Sequence, residues 1–275
     1  MTVGESALAD KLAALDAQLK EIGSVVVAFS GGADSAFLLA AAVRSLGASA
    51  VAAATAVSPS LPASELDGAR DFAVGLGVAH HTPRTDEQAR PGYAANGRDR
   101  CFHCKAELLS VLGPLAAELG VAAVATGTNA DDVQDPFRPG IRAARDAGAV
   151  TPLADAGLTK DEVRTASRAW GLVTADKPAA ACLASRVAYG LEITPLRLGR
   201  VERAERDLRR AMTGAGMPVR DLRVRDLGEH ARIEVDHDLV GELSERPEVL
   251  AAVTGFTTVE VDERGFRSGS MNEQR

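Results

Sequence analysis

Short apolar runs alternate with longer stretches of helical period along the first two-thirds of the chain. Val25-Val26-Val27-Ala28-Phe29 predicts a buried parallel strand. The N-terminal stretch before it, MTVGESALADKLAALDAQL, scatters acids among apolar residues as an amphipathic helix does. Ser30 to Ser35 forms a polar, glycine-containing break, and an Ala/Leu-rich helix runs from there to about Ser45. Ala50 to Thr55, Val78 to Thr82 and Val121 to Thr126 predict three further strands. Ser64 to Leu76 and Cys101 to Leu119 predict the helices between them. Thr159-Lys160-Asp161-Glu162 has the spacing of a capping box and opens another helix. Strand–helix alternation of this kind predicts an α/β fold with a doubly wound parallel sheet.

The rhythm changes after Arg186. Pro195 to Ala211 reads as a charged helix. Leu222 and Val224 alternate with Arg223 and Arg225, and Ala231, Ile233 and Val235 alternate likewise, as half-buried antiparallel strands do. Leu239 to Val253 reads as helical around Pro247, and Phe256 to Val261 as a strand. The expected organisation is a main domain over 1–188 and a small C-terminal α+β module over 189–275, with the cut near Ala188.

Composition narrows the class. With 46% hydrophobic and 25% charged residues the chain is not of the disordered type. Aromatics are only 4%, so the core is built from small side chains suited to close helix-on-sheet packing. A net charge of −7 argues against a dedicated nucleic-acid binder, which needs cations for its phosphate contacts. No apolar run approaches the roughly 18 residues of a membrane span, and the N-terminus lacks the basic start and apolar run of a signal peptide. A cytoplasmic location is expected.

Ser30-Gly31-Gly32-Ala33-Asp34-Ser35 carries the most information. Adjacent glycines let the backbone turn sharply and approach a ligand. The helix that follows directs free N–H groups and the positive end of its dipole at the loop, which favours an anion. Ser30 and Ser35 add hydroxyls, and Asp34 suits a magnesium ion between itself and phosphates. The loop lacks the Gly-Lys-Ser/Thr ending of a Walker A loop and the G-x-G-x-x-G spacing of dinucleotide folds. Thr126-Gly127-Thr128-Asn129-Ala130-Asp131-Asp132 follows the fourth strand, at the edge where open parallel sheets bind ligands.

The three cysteines do not form a disulfide framework. Arg100-Cys101-Phe102-His103-Cys104-Lys105 sets two thiols on one helix face, where the helix dipole favours thiolate. The spacing fits half a zinc site, a redox pair or two ligands of an iron–sulfur cluster. Cys182 lies among small residues between Lys177 and Arg186, as a reactive thiolate or a small buried apolar side chain. His80, His81, His230 and His237 lack ligand spacing to one another.

The SGGADS loop after an N-terminal strand resembles the PP-loop of the ATP pyrophosphatase superfamily. That resemblance implies ATP, Mg2+ and cleavage between the α- and β-phosphates, with adenylation of a carbonyl-type oxygen. Ser30, Gly31, Gly32, Asp34 and Ser35 would hold pyrophosphate and metal, and Gly127, Thr128 and Asn129 the nucleotide. The ordered set SGGADS, RCFHCK, GTNADD, Arg138-Pro139-Gly140, PAAACLASR and Arg267-Ser268-Gly269-Ser270-Met271-Asn272 resembles the LarE-type sulfur transferases from about Ser24 to Asn272. These make the nickel-pincer cofactor of lactate racemase.

This closer resemblance implies adenylation of the carboxylates of pyridinium-3,5-biscarboxylate mononucleotide, followed by displacement of AMP by sulfur to give thiocarboxylates. In one branch of the family the cysteine matching Cys182 gives up its sulfur and ends as dehydroalanine. In another, three cysteines hold a [4Fe–4S] cluster that carries sulfide, and Cys101, Cys104 and Cys182 match that pattern. The catalytic set is then Cys182, Asp34 and Lys105, with Lys105 stabilising charge. Arg186, Arg223 and Arg225 are expected to hold the phosphate and carboxylates of the substrate. Ser268 and Ser270 enter by resemblance only. The resemblance further implies a sulfide donor and a homo-oligomer larger than a dimer.

Three rivals share some of these features. A cluster-bearing tRNA thiolase would share the loop, but such relatives usually carry Lys where Ala33 stands, and the acidic balance disfavours tRNA. A nucleotide-binding module with a structural zinc site would do no sulfur chemistry, and its zinc would need two ligands beyond the C-x-x-C, with Cys182 and a histidine such as His103 as candidates. An ammonia-using synthetase would need ammonia from outside, since nothing in the chain resembles a glutaminase.

Overall fold

The computed structural model describes residues 3–134, 139–178, 181–267 and 269–272. Arg138 and Ser268, named above, lie outside the described residues. The chain divides into two compact units, one of residues 1–90 with 99–180 and one of residues 91–98 with 181–275.

The first unit opens with α1 (Val3–Ile22), β1 (Val25–Ala28), α2 (Ala33–Leu46), β2 (Val51–Ala54), α3 (Ala63–Gly75) and β3 (Ala79–His81). The short α4 (Pro91–Ala94) belongs to the second unit. The first unit resumes with α5 (Arg100–Leu119), β4 (Ala123–Thr126), α6 (Ala130–Gln134), α7 (Pro139–Asp146), α8 (Pro152–Asp155) and α9 (Lys160–Ala169). Its four strands form a wholly parallel sheet in the order β3-β2-β1-β4. Val150 adds a one-residue parallel bridge to Ala125 beyond β4, which the hydrophobic pattern does not announce.

Both faces of this sheet are covered, which is why β1 and β2 are apolar throughout rather than alternating. Val25, Val27 and Phe29 pack with Leu15, Leu19, Phe37 and Leu39 of the flanking helices. Val26, Ala28, Ala52 and Ala54 meet Leu112 and Ala116 of α5 on the other face. The expected doubly wound α/β arrangement is therefore present. The strand expected to begin at Ala50 begins at Val51, because Ala48–Ala50 is a turn of 3-10 helix. Among the described residues no helix is long and apolar enough to cross a membrane.

The second unit contains α10 (Pro195–Gly214), β5 (Leu222–Asp226), β6 (His230–Val235), α11 (Val240–Ser244), α12 (Pro247–Leu250) and β7 (Thr258–Val261). β5 and β6 are antiparallel, and β7 runs parallel to β6. Leu222, Val224, Ala231 and Ile233 form the core with Leu208 and Met212 of α10. Leu239 to Val253 is two short helices rather than one. Pro247 has no N–H to donate and starts a new helix at its first position. The second face of β5 is less open than the alternation suggests, since Arg225 and its neighbour Glu234 are buried while Arg223 is half-buried.

Candidate functional site

The sheet order reverses between β1 and β4, and the loops leaving these two strands flank the resulting crevice. In open parallel sheets this switch point is the ligand site. A cleft of about 340 Å³ lies there, lined by Ser30, Gly32, Asp34, Ser35, Gly127, Thr128, Asp132 and Lys105, with Ala56 and Leu61 beyond β2. The loop after β1 and the turn after β4, singled out from the sequence, meet in one place.

The loop is shaped by its own polar atoms. Gly31 takes a left-handed φ of 71°, a conformation glycine adopts without strain. Ser35 Oγ donates to the Gly32 carbonyl at 3.1 Å and accepts from the Ser30 N–H at 3.3 Å. The two serine hydroxyls stand 3.1 Å apart. Gly32 is the N-cap of α2, and no side chain caps that helix end. Its first N–H groups therefore remain for an anion.

Gly127 explains how the second motif comes so close. A Cβ on Gly127 would stand 2.8 Å from the Ser35 backbone nitrogen and 2.9 Å from its Cα. Asn129 is fully buried, and its amide donates to Asp34 Oδ1 at 3.3 Å. Asn129 and Asp132 bond reciprocally, backbone N–H to side-chain oxygen in each direction. Asn129 thus fixes the carboxylate of Asp34 rather than lining the cleft. Burial pushes the Asp34 carboxyl above its ordinary range, against the opposing pull of Lys160 and Asn129.

Two lysines reach this loop from distant positions. Lys160, at the first position of α9, places its ammonium 4.0 Å from Asp34. Lys177 donates to the Gly31 carbonyl at 3.0 Å and to Glu65 at 2.7 Å. In the sequence Thr159–Glu162 reads only as a cap, and Lys177 stands near Cys182. The capping box is present, with Thr159 accepting from the Glu162 N–H, and Lys160 is the first residue of the helix it opens. Neither lysine carries a local sequence signal for this role. Lys105 lines the cleft, and burial lowers its pKa, partly offset by Cys104.

Cys101 and Cys104 are the second and fifth residues of α5, Cys101 exposed and Cys104 half-buried. The helix α7 packs closely on this end of α5. A Cβ on Gly140 would stand 3.4 Å from the Cys101 carbonyl, and Arg142 lies over the Phe102 ring at 4.6 Å. This is a structural reason for the Pro139-Gly140 pair. Cys182, half-buried, is the N-cap of the 3-10 turn Leu183–Arg186. Its carbonyl accepts from Ser185 Oγ at 2.7 Å and from Arg186 Nη1 at 2.9 Å. No disulfide joins the three cysteines. Among the described residues no group of three or more His, Cys, Asp or Glu is gathered as for a metal ion.

The arginines of the second unit have partners in the protein. Arg186 is buried and pairs with Glu205 through both Nε, at 2.9 Å, and Nη2, at 3.2 Å. Arg225 donates to Glu234 at 2.6 Å and to Ser270 at 2.9 Å. Arg223 donates to the Leu222 carbonyl at 2.7 Å and lies 5.2 Å from the Phe266 ring centroid. Burial, then the charge of Arg186, pulls the Arg223 pKa down.

A glycine phosphate loop at the switch point of a doubly wound parallel sheet defines an α/β protein of the PP-loop type. No protein-family model matches the chain. The chain is 41% identical over 270 residues to an uncharacterized protein of Synechocystis, covering 96% of this chain and 98% of that one. It is 35% identical over 269 residues to the pyridinium-3,5-bisthiocarboxylic acid mononucleotide synthase of Lactiplantibacillus plantarum, covering 97% and 95% of the two chains. An uncharacterized protein of Methanocaldococcus jannaschii is 29% identical over 175 residues, 63% of this chain and 66% of its own. The chain belongs to the LarE-type family of the Lactiplantibacillus synthase, and it is an enzyme.

Proposed function

We propose that the protein is an ATP-dependent sulfur transferase acting on pyridinium-3,5-biscarboxylate mononucleotide. A substrate carboxylate oxygen attacks the α-phosphorus of ATP, and pyrophosphate leaves. A sulfur nucleophile then attacks the adenylated carbonyl, AMP leaves with the carboxyl oxygen, and a thiocarboxylate results. A second round converts the other carboxylate into the bisthiocarboxylate from which the nickel-pincer cofactor is made. The observation that carries the reading is the phosphate loop seated against Gly127 and Asn129 at the switch point, in a chain that is 35% identical to the named synthase.

In this reading Ser30, Gly31, Gly32 and Ser35 cradle pyrophosphate, and Gly127 and Thr128 meet the nucleotide while Asn129 holds Asp34. Asp34 fits Mg2+ as a hard oxygen donor whose burial calls for a cation. Lys160 and Lys105 offset charge on the phosphates and the activated carboxylate. Arg223, with Arg186 and Arg225, takes the anionic groups of the mononucleotide. The three thiols, none tied in a disulfide, fit as soft iron ligands. Cys101, Cys104 and Cys182 would hold a [4Fe–4S] cluster with one iron open, which when bound supplies sulfide. The protein would work in the cytoplasm as a homo-oligomer fed by a sulfide donor.

The test is iron and acid-labile sulfide per chain after anaerobic reconstitution, with AMP, pyrophosphate and thiocarboxylate measured on the same sample. About four irons and four sulfides, lost in Cys101→Ala, with more than one sulfur transferred per chain, are the expected result. No iron, one sulfur per chain and dehydroalanine at position 182 would assign the sulfur to Cys182 instead. Absence of AMP and thiocarboxylate from both preparations overturns the sulfur-transfer reading.

A further inference from the structure

Resting on the phosphate-loop reading above, we infer that Lys177 is a positioning residue, which with Glu65 ties back one carbonyl of the loop so that the loop can receive pyrophosphate. Gly31 is buried and stands outside the lining of the cleft, while its neighbours Ser30 and Gly32 line it. The Gly31 carbonyl is taken by the Lys177 ammonium at 3.0 Å. The Gly31 carbonyl and the Gly32 N–H share one trans peptide, so they point in opposite directions. Anchoring the carbonyl away from the cleft therefore turns the Gly32 N–H toward the Ser30 hydroxyl, 3.4 Å away. Reversing this peptide would aim a carbonyl dipole at the phosphates.

Glycine makes such a reversal cheap, because both orientations are open to it. An anion loop built on two adjacent glycines needs something outside itself to select one state. Lys177 is suited to this, since its charge is already matched by Glu65 at 2.7 Å. Both side chains are largely shielded, 27% and 23% exposed. Glu65 comes from the first turn of α3, so the brace runs from the helix after β2 to the loop after β1.

The experiment is titration of the full-length protein with inorganic pyrophosphate and Mg2+ in a calorimeter. Wild type is compared with Lys177→Met, Lys177→Arg, Glu65→Gln and the Lys177→Met/Glu65→Gln pair, each checked by thermal melting. Loss of one charged hydrogen bond to the loop should weaken pyrophosphate about tenfold in Lys177→Met. Lys177→Arg should recover most of that loss. Glu65→Gln should weaken binding too, and the pair should be no weaker than Lys177→Met alone. Wild type that fails to bind pyrophosphate overturns the phosphate-loop reading and the brace together. Wild-type binding by Lys177→Met overturns the brace alone. Unchanged or tighter binding by Glu65→Gln does so as well, because the ammonium would then act on the phosphates directly. Should Lys177→Met fail to fold, Glu65→Gln decides the matter.

Discussion

The α-hydrogen of Gly127 faces the backbone nitrogen of Ser35 with no room for a methyl group, since a Cβ would stand 2.8 Å away. The turn after β4 therefore lies flush on the first turn of α2. Gly127→Ala must push the two motifs apart, at a cost of about 1–3 kcal/mol. The expected outcome is a KM for ATP raised at least about tenfold with a lower melting temperature. An alanine variant with unchanged KM would show that the flush contact is not needed for the nucleotide.

Asp34 is held by Asn129 and faced by Lys160. Asp34→Asn keeps the shape and removes the charge on which the proposed divalent cation would depend. We expect ATP–pyrophosphate exchange to fall about a hundredfold or more, equivalent to roughly 3 kcal/mol of transition-state stabilisation. Near-normal exchange with retained magnesium dependence would move the metal to other donors.

Glu162 joins two elements, receiving Lys11 of α1 at 2.7 Å and closing the capping box of α9. Burial raises its pKa, but the hydrogen bonds from Lys11 and Thr159 win and hold the carboxyl below its ordinary 4.5. A depressed folded pKa stabilises above the unfolded value and is lost as pH falls through the folded one. Glu162→Gln should therefore cost about 1 kcal/mol at pH 7. The gap to wild type should close as pH drops below 4.5. Urea titrations at pH 7 and in acid check both parts. A gap of the same size at both pH values would remove the carboxylate from the account.

Arg186 and Glu205 are both shielded, and Glu205 also accepts from the Val224 N–H at 3.1 Å. Glu205→Gln leaves a buried guanidinium without its counter-charge. Breaking such a pair from one side costs about 3–5 kcal/mol. Chemical denaturation should show that loss, whereas a change below about 1 kcal/mol would class the pair with exposed ion pairs.

What could be read in the sequence is what is local. Ser30–Ser35 declares itself because a strand, two glycines and a helix are contiguous, and Thr159–Glu162 because a cap is a four-residue device. The ligand edge follows once the strands are read as a parallel sheet, but the strand order that makes it a switch point has no local signature. Lys160 and Lys177 were not legible as partners of that loop. Each is brought to it by sheet packing from more than a hundred residues away in the chain, and neither carries a local signature of the role. Arg225 shows the converse limit. Its alternation with Val224 placed it correctly across the strand, yet periodicity cannot say whether the far face meets water or Glu234 and Ser270. Val150 failed to register because a single bridging residue has no period at all.

The allotment of residues 91–98 to the second unit has a bearing on how the polypeptide is made. Asn96 is fully buried with a φ of 53°, and its amide donates to the carbonyls of Ala188 and Leu191 at 2.8 and 2.9 Å. Those acceptors are synthesised some ninety residues later. While the ribosome is translating the parallel sheet, this short stretch waits as an unfinished loop on the emerging protein. It locks only when the later part of the chain arrives. No single proteolytic cut can release the two units as intact pieces, and a gene split after position 180 would strand the loop on the wrong fragment.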